Sequence, residues 1–456
     1  MYIPKRIKKF IKGLRIRPAQ IIVIGFGLLI LMGGVLLALP IASQNGRSIG
    51  FLNALFTSTS ATCVTGLVVV DTYTHWTAFG KCVILFLIQI GGLGFMTLTT
   101  LFSFFLRRTI TMRERILIAE SINYEEMQGI VRLAQHILIG TVIIEGAGAV
   151  ILSLRLIPEF GVAGGITKGI FHSISSFCNA GFDLFGERQA FSSLTHYSGD
   201  WIINLTIMSL IILGGLGFVV WEDVVTNRKW SKFRLHTKMV LTTTGLLIFV
   251  GALLIFIFEI DNPKTIANGT ISQKILGPLF QSVTSRTAGY NTLPLADMTL
   301  ASLFVMVILM FIGGSPGSTA GGVKTTTVGV IIAAVLSVVR AKEDVNLYGR
   351  RIARHVVLKA LVIILMGFIV VGVGIMALLA VEDFSFMDVV FEVVSAFGTV
   401  GLTTGITPHL TSFSKLVLIF IMYAGRVGVM SIALAIAFRN PNGNVLKYPE
   451  GKIMVG

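Results

Sequence analysis

The sequence predicts an all-α integral membrane protein with eight transmembrane helices, arranged as four span–pore-loop–span repeats with pseudo-fourfold symmetry around one pore. Three observations predict this fold. The chain of 456 residues is 54% hydrophobic and only 13% charged, which excludes an ordinary soluble domain. Apolar runs of about 20 residues, long enough to cross a hydrocarbon core of about 30 Å, recur along the chain. Between them, four shorter segments end in a glycine at nearly even spacing.

Seven apolar runs are long enough to be membrane spans, and an eighth, Leu300–Val339, is interrupted in its middle. The seven uninterrupted runs are Ile21–Leu39, Val83–Phe105, Leu133–Leu154, Ile202–Trp221, Val240–Phe258, Val356–Leu379 and Leu416–Phe438. They alternate with the shorter segments, which gives the predicted order of span, pore segment and span in each repeat. The predicted divisions are a basic cytoplasmic tail (1–19), repeat 1 (20–110), repeat 2 (111–230), repeat 3 with a broken second span (231–345), repeat 4 (346–440) and a cytoplasmic C-terminal tail (441–456).

Each pore segment ends in a tripeptide whose last residue is glycine, and successive glycines are 108 to 115 residues apart. The four tripeptides are Val64-Thr65-Gly66, Asn179-Ala180-Gly181, Thr287-Ala288-Gly289 and Thr399-Val400-Gly401. Glycine readily adopts positive φ, so these positions can turn backbone carbonyls toward an ion. Rings of such carbonyls replace the hydration shell of a cation in selectivity filters. We therefore expect the four tripeptides to line one pore.

The residues before each tripeptide predict a half-helix of about ten to twelve residues, such as Phe51–Thr62 and Met387–Phe397. The C-terminal end of a helix carries partial negative charge, so a half-helix that points toward the membrane centre favours a cation there. Four unrelated re-entrant turns are the alternative interpretation, but they would not explain four matched positions.

A second glycine cluster lies in the second span of every repeat. For Gly91–Gly94, Gly214–Gly217 and Gly425–Gly428, close helix packing is the favoured interpretation, because small residues let helices approach in a membrane. In repeat 3 the cluster is longer and contains a proline, so a continuous helix is not expected and a mobile loop under the tripeptides is predicted. This predicted gating loop comprises Gly313, Gly314, Ser315, Pro316, Gly317, Ser318, Thr319, Ala320, Gly321 and Gly322, with Lys324 just beyond it.

Three charged residues fall within or beside apolar segments. Arg426 lies in the last span, where a charge is costly, and it is predicted to face the pore and either repel cations or bond to the gating loop. A snorkelling or salt-bridged arginine is the alternative. Arg286, beside the third tripeptide, is expected to bond to pore-loop carbonyls, and Glu145 is either a buried helix contact or a proton-relay acid.

The net charge of +15 is concentrated in segments between spans and at the termini. The positive-inside rule then places both termini in the cytoplasm of a multi-pass plasma-membrane protein. Nucleic-acid binding is not expected, because the basic clusters alternate with spans. Three cysteines and seven scattered histidines form neither a disulfide framework, a metal-ligand pattern nor a catalytic cluster, so an enzyme is not expected.

Taken with the four pore glycines, the strings SSFCNAGF (Ser175–Phe182), TSRTAGYNT (Thr284–Thr292) and GGVKTTT (Gly321–Thr327) resemble the Trk/Ktr/HKT superfamily of cation transporters. Within it, the chain is most similar to the membrane subunits of bacterial Ktr potassium-uptake systems. The resemblance covers nearly the whole chain. It implies potassium permeation, with the four glycines in the selectivity filter, Gly313–Gly322 as the intramembrane gating loop and Arg426 as its pore-lining latch. Glycine rather than serine at position 66 favours K⁺ over Na⁺ in this family.

The resemblance also implies a homodimer in the lipid bilayer, regulated by a cytoplasmic ring of KtrA-like nucleotide-binding subunits. The chain itself has no GxGxxG motif, so any nucleotide is expected only through such a partner. The predicted function is that of a potassium-translocating membrane subunit of a K⁺ uptake system. The alternative is a sodium- or proton-coupled cation symporter. No covalently bound cofactor is expected; K⁺ is the transported ion, and Na⁺ is a candidate modulator.

Overall fold

The structure, a computed structural model, describes residues 18–94, 115 and 129–436, and it is mostly helical, with 70% of residues in helices. Nearly all of the predicted N-terminal tail (1–19) and the whole predicted C-terminal tail (441–456) lie outside the described residues.

The described α-helices are connected by short 3₁₀ turns and loops, except between the fourth and the fifth, where the described residues are interrupted. In chain order they are α1 (Pro18–Ala38), α2 (Phe51–Thr62), α3 (Thr72–His75), α4 (Ala78–Leu93), α5 (Ile130–Phe177), α6 (Trp201–Leu216), α7 (Phe218–Asn227), α8 (Leu235–Glu259), α9 (Ile271–Thr284), α10 (Leu300–Phe311), α11 (Thr325–Val339), α12 (Arg354–Leu379), α13 (Phe386–Gly398), α14 (Ser412–Val427) and α15 (Val429–Ile436). A two-residue antiparallel pair, β1 (Asn346–Leu347) with β2 (Arg350–Arg351), lies between α11 and α12.

Three short helices, α2, α9 and α13, precede the first, third and fourth tripeptides and have 12 to 14 residues. At 1.5 Å per residue, such helices are about 20 Å long, too short to cross a bilayer. Side-chain caps define two of their starts: Thr270 and Gln273 form a reciprocal capping box at α9, and Ser385 caps α13. The half-helices expected before these tripeptides are therefore present.

The fourth short helix is fused to the span before it. Helix α5 extends over 48 residues, but Gly161 has φ 72° and ψ 172° and Pro158 lies just before it, so the helix reverses there. Gly169, after the reversal, packs against Ser153, before it. The two halves of α5 thus correspond to the span and the pore segment that were predicted separately in repeat 2.

Each short helix packs against the helix before it through a glycine on the longer helix. The side chains that meet these glycines are hydroxyls in three cases and a valine in the fourth; the pairs are Gly33 with Ser58, Gly148 with Ser173, Gly251 with Ser282 and Gly374 with Val393. Each of the three serines donates to the carbonyl three residues before its glycine, at 2.7, 2.6 and 2.8 Å. The same local contact therefore positions successive short helices.

The second spans of repeats 2 and 4 are broken, which corrects the predicted continuous runs Ile202–Trp221 and Leu416–Phe438. α6 and α7 meet at Gly217 with a bend of 95°, and α14 ends where α15 begins, at Gly428. Both glycines have strongly positive φ, 94° and 89°, which is incompatible with a continuing right-handed helix. Packing glycines and helix-ending glycines look alike in a sequence, which explains the error.

The second span of repeat 1 ends in the same way within the described residues. α4 stops at Leu93, and Gly94 has φ 83°, so the predicted run Val83–Phe105 is not continuous at this point. The close packing expected of the clusters is nevertheless present: a Cβ on Gly91, Gly214 or Gly425 would overlap the last-turn carbonyl of the neighbouring short helix. The break predicted in repeat 3 separates α10 from α11.

Within the described residues, four helices are long and apolar enough to cross a membrane, and a fifth span results if the bent pair α6–α7 counts as one. The four are α1 (from Gln20), α5, α8 and α12. Several apolar helices thus indicate an integral membrane protein, whereas the full eight-span, fourfold arrangement stays a prediction.

Candidate functional site

The four tripeptides have the same unusual backbone. In each, the first and third residues have positive φ, whereas the middle residue does not. The φ angles are 57° and 95° at Val64 and Gly66, 60° and 70° at Asn179 and Gly181, 79° and 85° at Thr287 and Gly289, and 50° and 89° at Thr399 and Gly401. Alternation of this kind orients successive peptide dipoles toward one side of the chain. Because non-glycine residues at positive φ are uncommon, four first positions with this strain indicate a functional backbone.

The tripeptides contact one another in cyclic order. A Cβ placed on the glycine of one tripeptide would meet the middle-residue carbonyl oxygen of the next, at 2.6 Å from Gly66 and 2.7 Å from Gly181. The contacting pairs are Gly66 with Ala180, Gly181 with Ala288, Gly289 with Val400 and Gly401 with Thr65. The last pair closes the ring, so segments separated by more than 300 residues become neighbours. The four tripeptides therefore surround one axis with backbone carbonyls at close quarters.

Hydroxyls on the short helices hold the tripeptides, and sequence reasoning missed them. Ser60 and Ser395 accept hydrogen bonds from the Gly66 and Gly401 N–H groups, at 3.0 and 3.1 Å. A signal did exist: Ser60, Ser175 and Ser395 all lie six residues before their glycine. Buried hydroxyls at a fixed distance from the pore glycine could therefore have been predicted as supports.

The second and third segments use the corresponding hydroxyls differently. Ser175 donates to the Phe182 carbonyl at 2.8 Å, and Thr284 donates to the Tyr290 carbonyl at 2.7 Å. In both cases the accepting residue directly follows the tripeptide glycine. The hydroxyls thus fix where the chain leaves the ring.

Several buried threonine hydroxyls around the ring have no hydrogen-bond partner among the described residues. They are the Oγ1 atoms of Thr62, Thr65 and Thr399. Buried polar groups are normally satisfied, so these three hydroxyls are exceptions.

The segment Gly313–Gly322, the glycine-rich segment, crosses directly beside the ring. Gly313 packs against the Thr287 side chain, and Gly321 packs against the Thr399 side chain. Toward α6, Ser315 N and Thr319 N donate to the carbonyls of Gly215 and Gly214, at 3.0 and 3.2 Å. The segment is therefore non-helical, as predicted, and its polar backbone groups are bonded to the surrounding helices.

Arg426 joins the glycine-rich segment to two other parts of the chain. Its Nη1 donates to the carbonyl of Thr319, and its Nη2 donates to the carbonyls of Gly91 and Gly92, the second at 2.9 Å. The guanidinium, with five donors and no acceptor, suits such a cluster of carbonyls. No ion pair involving Arg426 is present in the described part of the chain, so its partners there are carbonyl oxygens.

Lys324 bonds to carbonyls at the end of the same segment. Its Nζ donates to the Ala320 carbonyl at 2.6 Å and lies 3.4 Å from the Gly321 carbonyl oxygen. Two cations, Lys324 and Arg426, thus bond to consecutive carbonyls of the glycine-rich segment. This concentration of positive charge lies beside a ring of carbonyls that attracts cations.

Arg286 and Glu145 bond to side chains rather than to tripeptide carbonyls. Arg286 donates to the Thr244 hydroxyl at 3.4 Å, so its predicted bonding to pore-loop carbonyls is wrong. Glu145 is buried, and its carboxylate accepts hydrogen bonds from Gln89 at 3.1 and 3.2 Å and contacts the Cys178 thiol. Glu145 therefore acts as a buried contact between helices α4 and α5.

No group of three or more His, Cys, Asp or Glu side chains that could hold a metal ion occurs in residues 18–94, 115 and 129–436. The groups that the four tripeptides bring together are backbone carbonyl oxygens. A helical, strongly apolar chain with a closed ring of carbonyls at its centre defines a membrane transport protein.

The chain belongs to the TrkH family, described as cation transport proteins, whose family model matches residues 18–448. It is 43% identical over 457 residues to the potassium/sodium uptake protein NtpJ of Enterococcus hirae, covering 99% of both chains. It is 42% identical to the Ktr system potassium uptake protein B of Bacillus subtilis, covering 98% of this chain and 99% of that one. The protein of the same name from Vibrio alginolyticus is 38% identical, with 96% and 94% covered. The resemblance inferred from the motifs is thus confirmed.

The fold also matches a solved structure. The crystal structure of the potassium transporter TrkH from Vibrio parahaemolyticus superposes with a TM-score of 0.73, covering 92% of this chain and 84% of that one. The sequence identity is 19%, so this similarity bears on the fold alone. The family is one of transporters rather than enzymes, which agrees with the sequence prediction.

Proposed function

We propose that this chain is the potassium-translocating membrane subunit of a K⁺ uptake system. The observation that carries the proposal is the closed ring of four tripeptides, in which each glycine contacts the middle carbonyl of the next tripeptide. Carbonyl oxygens in a narrow ring replace the hydration shell of a permeating cation. Relatives named as potassium uptake proteins, at 38–43% identity over almost the whole chain, support K⁺ as the transported ion.

The twelve residues of the four tripeptides form the selectivity filter in this proposal. Positive φ at the first and third positions of each supports four equivalent strands. The side chains differ, however. Asn179 of the second tripeptide bonds to Thr287 of the third at 3.2 Å, and no other tripeptide has an asparagine at its first position. The filter is therefore chemically uneven although its backbone is regular.

The eight-span, pseudo-fourfold arrangement also belongs to the proposal. It is supported by the recurring packing of a span glycine on each short helix and by the glycines at which second spans break. In this arrangement the chain crosses the plasma membrane several times with both termini in the cytoplasm, as the distribution of basic residues predicts.

The glycine-rich segment and Lys324 form the gate in this proposal, and Arg426 is the latch. The segment lies against the side chains of Thr287 and Thr399 and is bonded to Arg426, so it can obstruct the path below the filter. Its glycines allow other backbone conformations once these contacts are broken. Release of the Arg426 contacts would open the path.

Regulation by a cytoplasmic partner is a further part of the proposal. Two relatives carry the name of a Ktr system, which implies more than one component. We propose a homodimer bound to a ring of KtrA-like nucleotide-binding subunits, with Arg340–Arg354 and Arg107–Arg115 as candidate docking loops. Apart from Arg115, the second loop lies outside the described residues. In the first loop β1 and β2 form a short hairpin that exposes Arg350 and Arg351.

The test is ion flux in vesicles that contain the purified chain, with K⁺ or Na⁺ as the only permeant cation. We expect K⁺ flux above that of empty vesicles, faster than Na⁺ flux, and independent of any Na⁺ or proton gradient. Flux that requires a Na⁺ or proton gradient would instead support the symporter alternative. The sequence offered Glu145 as the proton-relay acid for that alternative, and in the structure its carboxylate is bonded to Gln89.

A further inference from the structure

Each short helix carries a fully buried polar side chain eight or nine positions before its tripeptide glycine. The residue lies nine positions before the glycine in the first, second and fourth segments and eight positions before it in the third. These residues are Thr57, His172, Gln281 and Glu392, and each is at most 1% exposed. Only Glu392 can carry a negative charge, so its partners are compared below with those of the other residues.

In two of the other segments this side chain binds backbone N–H groups of the strand that leaves the ring. His172 Nε2 accepts from Leu184 N–H at 3.1 Å. The amide oxygen of Gln281, in its favourable orientation, accepts from the N–H groups of Thr292 and Leu293, both at 3.1 Å. The position therefore normally ties the short helix to the chain on the outer side of the tripeptide.

Glu392 contacts hydroxyls instead of N–H groups. Thr407 donates to its Oε1, and the Thr403 hydroxyl also contacts the carboxyl group. The Thr407 and Thr403 oxygens are 3.1 Å apart. The carboxyl group thus lies against an outer loop rich in threonine, which begins two residues after Gly401.

The Oε2 atom of Glu392, which is 0% exposed, lacks a partner among the described residues. The hydroxyl oxygen of Thr404, the residue after Thr403 in the chain, also lacks one. The charged group that acts on Glu392 is Asp388, which has the same sign, and no ion pair in the described part of the chain includes Glu392. A buried carboxylate without a counter-charge is strongly destabilising.

We propose that Glu392 and the hydroxyls of Thr403, Thr404 and Thr407 form a binding site for a monovalent cation of the Na⁺ type, separate from the carbonyl ring. A donor set made only of oxygens suits a hard cation. One carboxylate balances one positive charge, which favours a monovalent over a divalent ion. The bound cation would satisfy Oε2 and hold the outer loop of the fourth segment against its short helix.

The test is thermal unfolding of the purified full-length protein in detergent. K⁺ is kept constant and saturating so that the ring stays occupied, and Na⁺ replaces choline at constant ionic strength. A ligand that binds only the folded state raises the unfolding temperature. We expect Na⁺ to raise it for the parent protein and for the matched control Asp383→Asn, which removes a carboxylate outside the cluster from the same repeat. The rise should be lost in Glu392→Gln.

A second variant tests the proposal if the Glu392→Gln protein does not fold. In Thr404→Val the carboxylate remains but one oxygen ligand is removed. The Na⁺ concentration that gives half of the full increase in unfolding temperature should therefore be at least tenfold higher than for the parent protein. If the parent shows no Na⁺-dependent rise, Glu392 is a neutral acid and the proposal is wrong. It is equally wrong if Glu392→Gln or Thr404→Val responds to Na⁺ as the parent does, because Na⁺ then binds elsewhere. These measurements do not depend on transport, so they can fail while the proposed function holds.

Discussion

Gly66→Ser should weaken the preference of the pore for K⁺ over Na⁺, and a matched variant isolates the cause. Gly66 has φ 95° and its Cβ position is 2.6 Å from the Ala180 carbonyl oxygen. Gly50, at the start of α2 in the same repeat, has φ 88°, but nothing lies within 4 Å of its Cβ position. Both serine variants share the strain of positive φ, about 1–2 kcal/mol, whereas only Gly66→Ser displaces a ring carbonyl.

The expected size of the effect follows from that displacement. The Cβ–oxygen distance must increase from 2.6 Å to at least 3.0 Å, and the neighbouring atom is backbone, so the Ala180 carbonyl itself must turn or shift. A contact to a charged group contributes about 1.5–3 kcal/mol, and partial misalignment should remove about 1–2 kcal/mol of it. If this loss falls on K⁺ and not on Na⁺, the K⁺/Na⁺ flux ratio decreases about 5–30-fold.

The assay compares K⁺ and Na⁺ flux in vesicles that contain equal amounts of folded parent, Gly66→Ser or Gly50→Ser protein. We expect a reduced flux ratio for Gly66→Ser and a ratio near the parent value for Gly50→Ser. If both variants keep the parent ratio, the glycine–carbonyl ring does not set selectivity. If both lose it equally, backbone strain in repeat 1 is the cause and the carbonyl contact is not.

Three further predictions concern the latch, the supports of the ring and the ion pair between Lys168 and Glu187. Arg426→Ala removes hydrogen bonds to the glycine-rich segment and should raise K⁺ flux in vesicles at least severalfold, as should partial deletion of that segment. Ser395→Ala leaves the buried Gly401 N–H without its acceptor, so it should destabilise the protein by about 1–3 kcal/mol in thermal unfolding and reduce the K⁺/Na⁺ ratio. The hydrogen bond from Lys168 lowers the pKa of Glu187 below its usual value of 4.5. The pair therefore stabilises the protein above pH 4.5, and this stabilisation is lost as the pH falls through the lowered pKa. Lys168→Met should therefore flatten the dependence of unfolding temperature on pH between about pH 5 and 3.

The arginine and serine predictions each have a control within the chain. Arg340→Ala and Ser412→Ala remove the same side-chain types at exposed positions and should leave flux and stability unchanged. If the Arg426→Ala protein is well folded and its K⁺ flux equals that of the parent, the glycine-rich segment serves only packing and the gate lies elsewhere. An unchanged pH profile in Lys168→Met would show that the Lys168–Glu187 pair contributes nothing measurable to stability.

The sequence was most informative where a pattern repeats. Four glycines at matched spacing predicted four related tripeptides, and these tripeptides contact one another in the structure. The pattern is visible in the sequence because each third position needs a positive φ, which glycine adopts most easily. The break at Gly313–Gly322 was predictable because proline and several glycines together exclude a helix. Arg426 was predictable because a charge within an apolar span needs polar partners.

The parts that could not be predicted depend on the surroundings of a residue. Gly94, Gly217 and Gly428 end helices through positive φ, yet in sequence they look like the packing glycines beside them. The partner of Arg286 depends on which side chain of α8 lies opposite, and here it is Thr244. Such contacts are decided by tertiary packing and leave no local pattern.

The cyclic contact of the four tripeptides has a consequence for how such a ring can be altered. In a ring assembled from identical subunits, one change in the gene alters every quadrant at once. Here a change at Gly66, Gly181, Gly289 or Gly401 alters one quadrant alone. Adjacent quadrants, such as those of Gly66 and Gly181, share a glycine–carbonyl contact, whereas Gly66 and Gly289 lie two steps apart in the cycle. Comparing adjacent with opposite double substitutions would therefore measure, in one polypeptide, how far a disturbance travels around a conduction ring.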